Sequence, residues 1–204
     1  DSISNVWVSD AAGMYNGVLV YDNNFDTAVA QGDEVIFAGI RDPFNNLSEI
    51  TNPEYISTVS TGNTPYGPSD IPGSDIAATI PADTDPAEPW EGQLVKISDF
   101  TVDSMSTVSP NYACSWSDSK ATYTFYIGDN AGDFNLTVGA SYASVTGVVD
   151  WYWSGPYYRI NPRSQSDIEI STNPAVSLAV VSVNGGTDPY ASTDFSVVEI
   201  GRAS

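Results

Sequence analysis

Turn-forming residues recur along the whole chain and limit what it can fold into. Between these residues, which are glycine, proline, serine, threonine, asparagine and aspartate, lie short runs in which apolar residues alternate with others. Frequent punctuation of this kind is typical of a protein built from many short strands. A clear strand is predicted at 34–40, directly after Gly32 and Asp33. Since 41% of the residues are hydrophobic, a core can be buried, and the sequence predicts an all-β protein.

The charge of the chain is strongly acidic. It has 26 acidic residues against 6 basic ones, a formal net charge of −20. Such a surface repels phosphate backbones and anionic lipids, so we expect no nucleic-acid partner and no membrane insertion. No apolar run is long enough to span a bilayer. Carboxylates also attract calcium and keep a protein soluble at high ionic strength, and the charge leaves both explanations open.

Prolines divide the chain into two halves. Six of them fall between residues 61 and 89, which indicates an irregular connection and a boundary near residue 85. The period of two along the predicted strand 142–153 places Val145 and Val149 on one face, and we expect both to be buried, together with Ile160. The predicted organisation is a first unit at 1–85 with the connection at 61–89, a second unit at 86–172 and a C-terminal strand extension at 173–204.

Two short matches relate the halves to each other. The pattern D-x-A-G-x-aromatic-N occurs at 10–16 and again at 129–135, and Gly-Ile-Arg-Asp at 39–42 matches Gly-Val-Val-Asp at 147–150. Two matches in the same order predict a duplicated unit. A strand beginning at Trp90 precedes the second copy, and nothing equivalent precedes the first. We therefore expect the first unit to lack its opening strand.

The C-terminal extension contains spare strands, predicted at 175–183 and 195–200. An unpaired sheet edge beside an open core is unstable in water, so the first unit needs a strand from elsewhere. Val176, Leu178 and Val180 are two residues apart and share one face of an extended strand. We predict that this assembly strand completes the first unit of another copy of the chain, which would build a fibre or surface layer.

Six segments between residues 6 and 170 share their pattern with a known family: 15–22, 32–35, 47–50, 88–97, 146–150 and 158–164. They resemble the OB-fold-like modules of secreted bacterial multidomain proteins, which often lie beside extracellular nuclease or lamin-tail domains. The resemblance implies five-stranded barrels in tandem, export from the cell and no catalysis within the module. The expected fold is all-β, with two tandem OB-like small barrels, the first lacking its opening strand, plus a C-terminal strand extension.

The residue types present argue against an enzyme. The sequence has no histidine, which excludes His-based triads and the usual zinc sites. Glu88 and Glu91 flank Trp90 and could act as a glycosidase pair, but Glu91 also suits the opening of a strand, and we favour that interpretation. Cys114 is the only cysteine, so no internal disulfide forms.

Two groups of side chains are candidate ligand sites. Calcium prefers oxygen ligands, although clusters of them also occur in solvated turns, and we require no cofactor. The candidate calcium ligands are Asp22, Asn24, Asp26, Asp129 and Asp133. A possible platform for stacking sugars, as OB barrels use, consists of Trp151, Trp153 and Tyr157. Aromatic pairing across a hairpin explains these rings as well, and we favour it.

The sequence therefore leaves two functions open for a protein outside the cell or on its surface. In the first, the chain is a non-catalytic structural subunit that assembles with other copies of itself, head to tail, by strand exchange. In the second, it is a secreted carbohydrate- or calcium-binding module excised from a larger protein. Asn46 and Asn135 each begin an N-glycosylation sequon, which is used only where the source cell has that machinery.

Overall fold

The structure is a computed structural model of the chain. Contacts within the chain separate a first unit, Asp1–Thr172, from the remaining residues. All described residues belong to the first unit, so the predicted strand extension at 173–204 lies outside them. The described residues are 5–22, 25–77, 88–106, 111–128, 134–155 and 157–171.

Strands dominate the described residues, which confirms the prediction of an all-β protein. The helical segments are short: one four-residue helix, α1 at Phe25–Ala28, and 3-10 turns at Gly73–Ile76, Glu88–Trp90 and Gln165–Asp167. Within the described ranges, no helix has the length and apolar character needed to cross a membrane. The strands are β1 Asn5–Ser9, β2 Gly17–Tyr21, β3 Glu34–Arg41, β4 Glu49–Ser60, β5 Ser69–Asp70, β6 Leu94–Ser106, β7 Asn111–Ser117, β8 Thr122–Gly128, β9 Ser141–Tyr152, β10 Tyr157–Asn161 and β11 Ile168–Ile170.

Five strands close into a barrel. Their order is β6-β7-β8-β10-β9, and the pairing of β9 with β6 closes the ring. β8 and β10 run parallel, and the other four pairs run antiparallel. Two short strands extend the barrel, since β5 pairs with β6 and β11 pairs with β9.

The barrel core is formed by the inward side chains of these strands. Val145, Val149 and Ile160 have no solvent exposure, as the period of two predicted. At the centre of the core, the Phe100 ring lies edge-on to Phe125 at 5.5 Å between centroids. The connection also contributes, because Ile71 and Ile76 from the proline-rich region are buried in the same core.

The remaining strands form a second, four-stranded sheet in the order β1-β2-β4-β3. β2 and β4 run parallel, and the two outer pairs run antiparallel. The carboxylate of Asp22 accepts a hydrogen bond of 3.0 Å from the Phe25 amide and so caps the start of α1. The Phe25 ring packs edge-on against Phe37 of β3, and α1 also contacts β1 and β4.

We expect Val149→Asp to unfold the barrel. Val149 is fully buried, and an unpaired carboxylate there would cost several kcal/mol, comparable with the roughly 5–15 kcal/mol that stabilises a small domain. Thermal unfolding followed by tryptophan fluorescence measures the effect. Val138→Asp is the matched control, because Val138 is 54% exposed. An unchanged melting temperature for Val149→Asp would contradict the buried position.

Candidate functional site

The four-stranded sheet repeats the order of four barrel strands. Going across β1-β2-β4-β3, the pairs run antiparallel, parallel and antiparallel, as they do across β7-β8-β10-β9. The register agrees as well, since Val20 lies beside Ile50 in the sheet and Ile127 lies beside Ile160 in the barrel. β6, which pairs with both β7 and β9, has no counterpart in the sheet among the described residues.

The match between residues 39–42 and 147–150 agrees with this register. Ile40 pairs with Thr51 of the returning strand, as Val148 pairs with Asn161. Both copies also need their glycine, because a Cβ at either Gly39 or Gly147 would collide with the returning strand. The two segments therefore occupy equivalent positions.

The other sequence match, between 10–16 and 129–135, does not relate equivalent positions. Residues 10–16 connect β1 to β2, whereas residues 129–135 follow β8 and precede β9. Because β2, not β1, corresponds to β8, the two copies of the pattern fall in different connections. The match between 10–16 and 129–135 therefore does not support a duplicated unit, and the repeat depends on strand order and on the glycine match.

β1 and β3 each have one edge without a partner strand among the described residues. Their barrel counterparts, β7 and β9, both pair with β6 at the corresponding edges. We call these two unpaired edges, one on β1 and one on β3, together the strand gap. Its edges offer backbone N–H and C=O groups to an incoming strand.

Three apolar side chains of the sheet, on β1, β2 and β4, are less buried than their barrel counterparts. Cys114, Phe125 and Ile160 are fully buried inside the barrel. The residues at the same register positions in the sheet are only partly buried: Val8, Val18 and Ile50. The core of the sheet is thus left incompletely covered by the described residues.

β3 and β4 also expose large apolar side chains. Ile36, Ile40, Ile56 and Val59 are each at least half exposed, with Ile40 at 58%. Exposed apolar groups concentrated on two adjacent strands are typical of a surface that contacts another protein. The sheet therefore combines unpaired edges with an apolar surface.

Residues 88–93, which we call the junction segment, connect the sheet to the barrel. The Tyr15 amide donates a hydrogen bond of 2.7 Å to the Pro89 carbonyl. On the barrel side, the Gly92 amide donates one of 2.8 Å to the Val149 carbonyl. Gly17 faces Gly92 so closely that a Cβ on Gly92 would lie 2.6 Å from the carbonyl carbon of Gly17. Only glycines allow this approach.

Glu91 is the charged group at the centre of the junction segment. It is 7% exposed, and its Oε1 accepts a hydrogen bond of 2.8 Å from the Ser48 amide of the sheet. Burial raises the pKa of Glu91 to about 7; the Ser48 amide opposes this rise, and the Glu88 carboxylate adds to it. The Glu88 carboxylate in turn accepts a hydrogen bond from the Tyr158 hydroxyl.

Sequence reasoning assigned Glu91 only to the opening of a strand. The structure instead begins β6 at Leu94 and uses Glu91 to contact the sheet. The sequence did contain one signal, Gly92, because glycine is frequent in turns. In the structure this residue has a φ of +76°. The residue that Glu91 contacts, 43 positions away, could not be read from the sequence.

The structure describes the predicted calcium ligands only in part. Asp22 caps α1, as stated above. Among the described residues, no three side chains of aspartate, glutamate or cysteine come together as a metal site. The side chain of Asp26 and the whole of Asn24, Asp129 and Asp133 lie outside what the structure describes.

The three aromatic residues of the predicted platform do not share one surface. Trp151 is 4% exposed and points into the core, whereas Trp153 is 61% exposed. Tyr157 lies on the opposite face of the hairpin from Trp151, because it pairs with Tyr152 while Tyr158 pairs with Trp151. Its ring stacks on Tyr126, with the centroids 3.9 Å apart. These contacts are the cross-strand aromatic pairing that the sequence favoured.

The predicted assembly strand, with Val176, Leu178 and Val180, lies outside the described residues. The comparisons with known proteins add no relative, since no protein-family model matches the chain and no curated protein matches its sequence. The function must therefore be argued from the strand gap and the junction segment themselves.

We expect Glu91→Gln to stabilise the protein at pH 8 and to flatten its pH dependence. A carboxyl group whose pKa rises from 4.5 to about 7 on folding favours the folded state at low pH, and this contribution is lost as the pH rises through that interval. The difference corresponds to roughly 3 kcal/mol. Glutamine keeps an oxygen for the Ser48 amide and carries no charge.

Melting temperatures between pH 4.5 and 8 measure this effect. Glu54→Gln is the matched control, because Glu54 is an exposed glutamate of β4. If the wild type and Glu91→Gln change in parallel over this range, Glu91 is not the group responsible.

Proposed function

We propose that the chain is a non-catalytic, extracellular structural subunit whose copies join head to tail by strand exchange into a fibre or surface layer. The observation that supports it is the strand order. The four-stranded sheet contains counterparts of four barrel strands, and the fifth strand, which closes the barrel, has none among the described residues. In this proposal both sheets are OB-like small barrels in tandem, and the first lacks its opening strand.

An incoming strand would have a defined direction in the strand gap. β6 runs antiparallel to both β7 and β9, so a strand in the equivalent place runs antiparallel to both β1 and β3. It would gain main-chain hydrogen bonds on both sides. It would also cover Val8, Val18 and Ile50, and burying apolar surface contributes about 25 cal/mol for each Å².

The proposed occupant is the assembly strand at 175–183 of another copy. Its alternate residues Val176, Leu178 and Val180 supply one apolar face, as an inward-facing strand requires. Strand addition of this kind takes its affinity from the backbone and its specificity from alternate side chains. A contact between the end of one copy and the gap of the next does not close on itself, so it continues into a fibre.

Folding of the same segment back into the strand gap of its own chain is the alternative, which the covalent tether favours by raising the effective concentration. We propose exchange between copies, and the two arrangements differ in their product. Exchange builds a growing row of copies, whereas folding back gives a closed monomer.

Deleting residues 174–204 should convert assemblies into monomers of lower stability. Size-exclusion chromatography with light scattering and electron microscopy of the intact and truncated proteins measure the change. A synthetic peptide of residues 175–183 should restore stability to the truncated protein, and the same peptide with Leu178→Asp should not. An intact protein that stays monomeric at high concentration, with a truncated form of equal stability, would favour the binding-module alternative.

A further inference from the structure

The pairing of β6 with β9 shows how a strand lies along the barrel edge that corresponds to the free edge of β3. Val95 of β6 lies opposite Gly147 of β9. Two residues away, the Val149 amide donates a hydrogen bond of 3.1 Å to the Gln93 carbonyl. Because hydrogen-bonded pairs alternate along an antiparallel ladder, the next such pair is that of Val95 and Gly147. At Val95 the strand therefore needs both its N–H and its C=O for the ladder.

The amide of Gln93, in contrast, is not used by this ladder. It donates a hydrogen bond of 3.0 Å to the Trp90 carbonyl, within the junction segment itself. The Gly92 amide donates to the Val149 carbonyl in its place. A proline at the position of Gln93 would therefore leave the pairing with β9 intact. A proline two residues later, at the position of Val95, would remove a ladder hydrogen bond.

The face of β3 that contacts α1 is apolar as far as Gly39. Val35 and Phe37 lie on this face and are partly buried, whereas the residues between and beside them are exposed. Arg41, which has the register position of Val149 in the barrel, is exposed and charged. A strand along this edge therefore meets an apolar face up to Gly39 and a positive charge beyond it.

We propose that Pro174 and Gly39 set the register of strand exchange, so that Val176 of one copy lies opposite Gly39 of the next. The inference rests on the proposed function and adds the position at which the assembly strand binds. In this register Pro174 takes the place of Gln93, where the ladder needs no N–H. The alternate residues that follow Val176 lie opposite the apolar face of β3, which they cover as an inward-facing strand does.

The neighbouring registers are less favourable for physical reasons. A shift by two residues in one direction would place Pro174 opposite Gly39, whose carbonyl would then lack its ladder hydrogen bond. A shift by two in the other direction would place Val176 over the charged Arg41 and a serine opposite Val35, and covering a charge with an apolar side chain is costly. A shift by one residue would turn the whole apolar face of the strand outward.

Pairs of introduced cysteines in the full chain measure the register. Ser177 would lie opposite the exposed Ala38 in a pair without ladder hydrogen bonds, with Cα atoms about 4.5 Å apart, which a disulfide can bridge. We expect Ala38→Cys with Ser177→Cys to form a ladder of disulfide-linked copies on a non-reducing gel after treatment with oxidised glutathione. The matched pairs, Ala38→Cys with Ala175→Cys or with Ala179→Cys, should link far less, because diagonal neighbours lie about 7–8 Å apart. The native Cys114 is fully buried and does not compete.

The outcomes separate the register from the proposed function. A ladder that is strongest with Ala175→Cys or Ala179→Cys would overturn the register and leave strand exchange standing. A Ser177→Cys link confined to single chains would support the register and contradict exchange between copies. The absence of a link in all three pairs would overturn both. Single-cysteine variants are the control, since each can form dimers at most.

Discussion

The pairing of β6 with both end strands of the curved sheet, β7 and β9, is the constraint on which the rest of this structure depends. β6 pairs with β7 on one side and with β9 on the other, and that double pairing turns a curved sheet into a closed barrel. Closure removes the unpaired edges and covers the core from every side. In the barrel, Cys114, Phe125 and Ile160 are fully buried as a result.

The four-stranded sheet shows what the same arrangement looks like without that strand. Its order and register follow the barrel, yet β1 and β3 keep free edges among the described residues, and Val8, Val18 and Ile50 stay partly exposed. A segment that binds in place of the missing strand gains free energy of binding, because the hydrogen-bonding groups and the apolar surface that it would contact are already positioned. A self-assembling subunit can use this property, since the stability of each copy then depends on its neighbour.

Charge distinguishes the two halves where the backbone does not. At one register position the barrel pairs Arg159 with Asp150, and the sheet has Glu49 and Asp42 at the equivalent positions. Glu91 adds a further buried carboxylate where the sheet meets the barrel. In a chain with 26 acidic and 6 basic residues, buried carboxylates have few basic partners to choose from. Protonation neutralises such a carboxylate, and it makes stability depend on pH.

The sequence by itself determined the strand content, the buried face of β9 and the equivalence of residues 39–42 with 147–150. These depend on local periodicity and on a glycine that a crossing strand requires, and both signals are written in neighbouring residues. The tertiary structure alone decided that residues 10–16 and 129–135 are not equivalent, that Trp151 and Tyr157 face opposite sides, and that Glu91 contacts Ser48. Such relations depend on which strands become neighbours in space, and pairing between distant segments leaves no local pattern in the sequence.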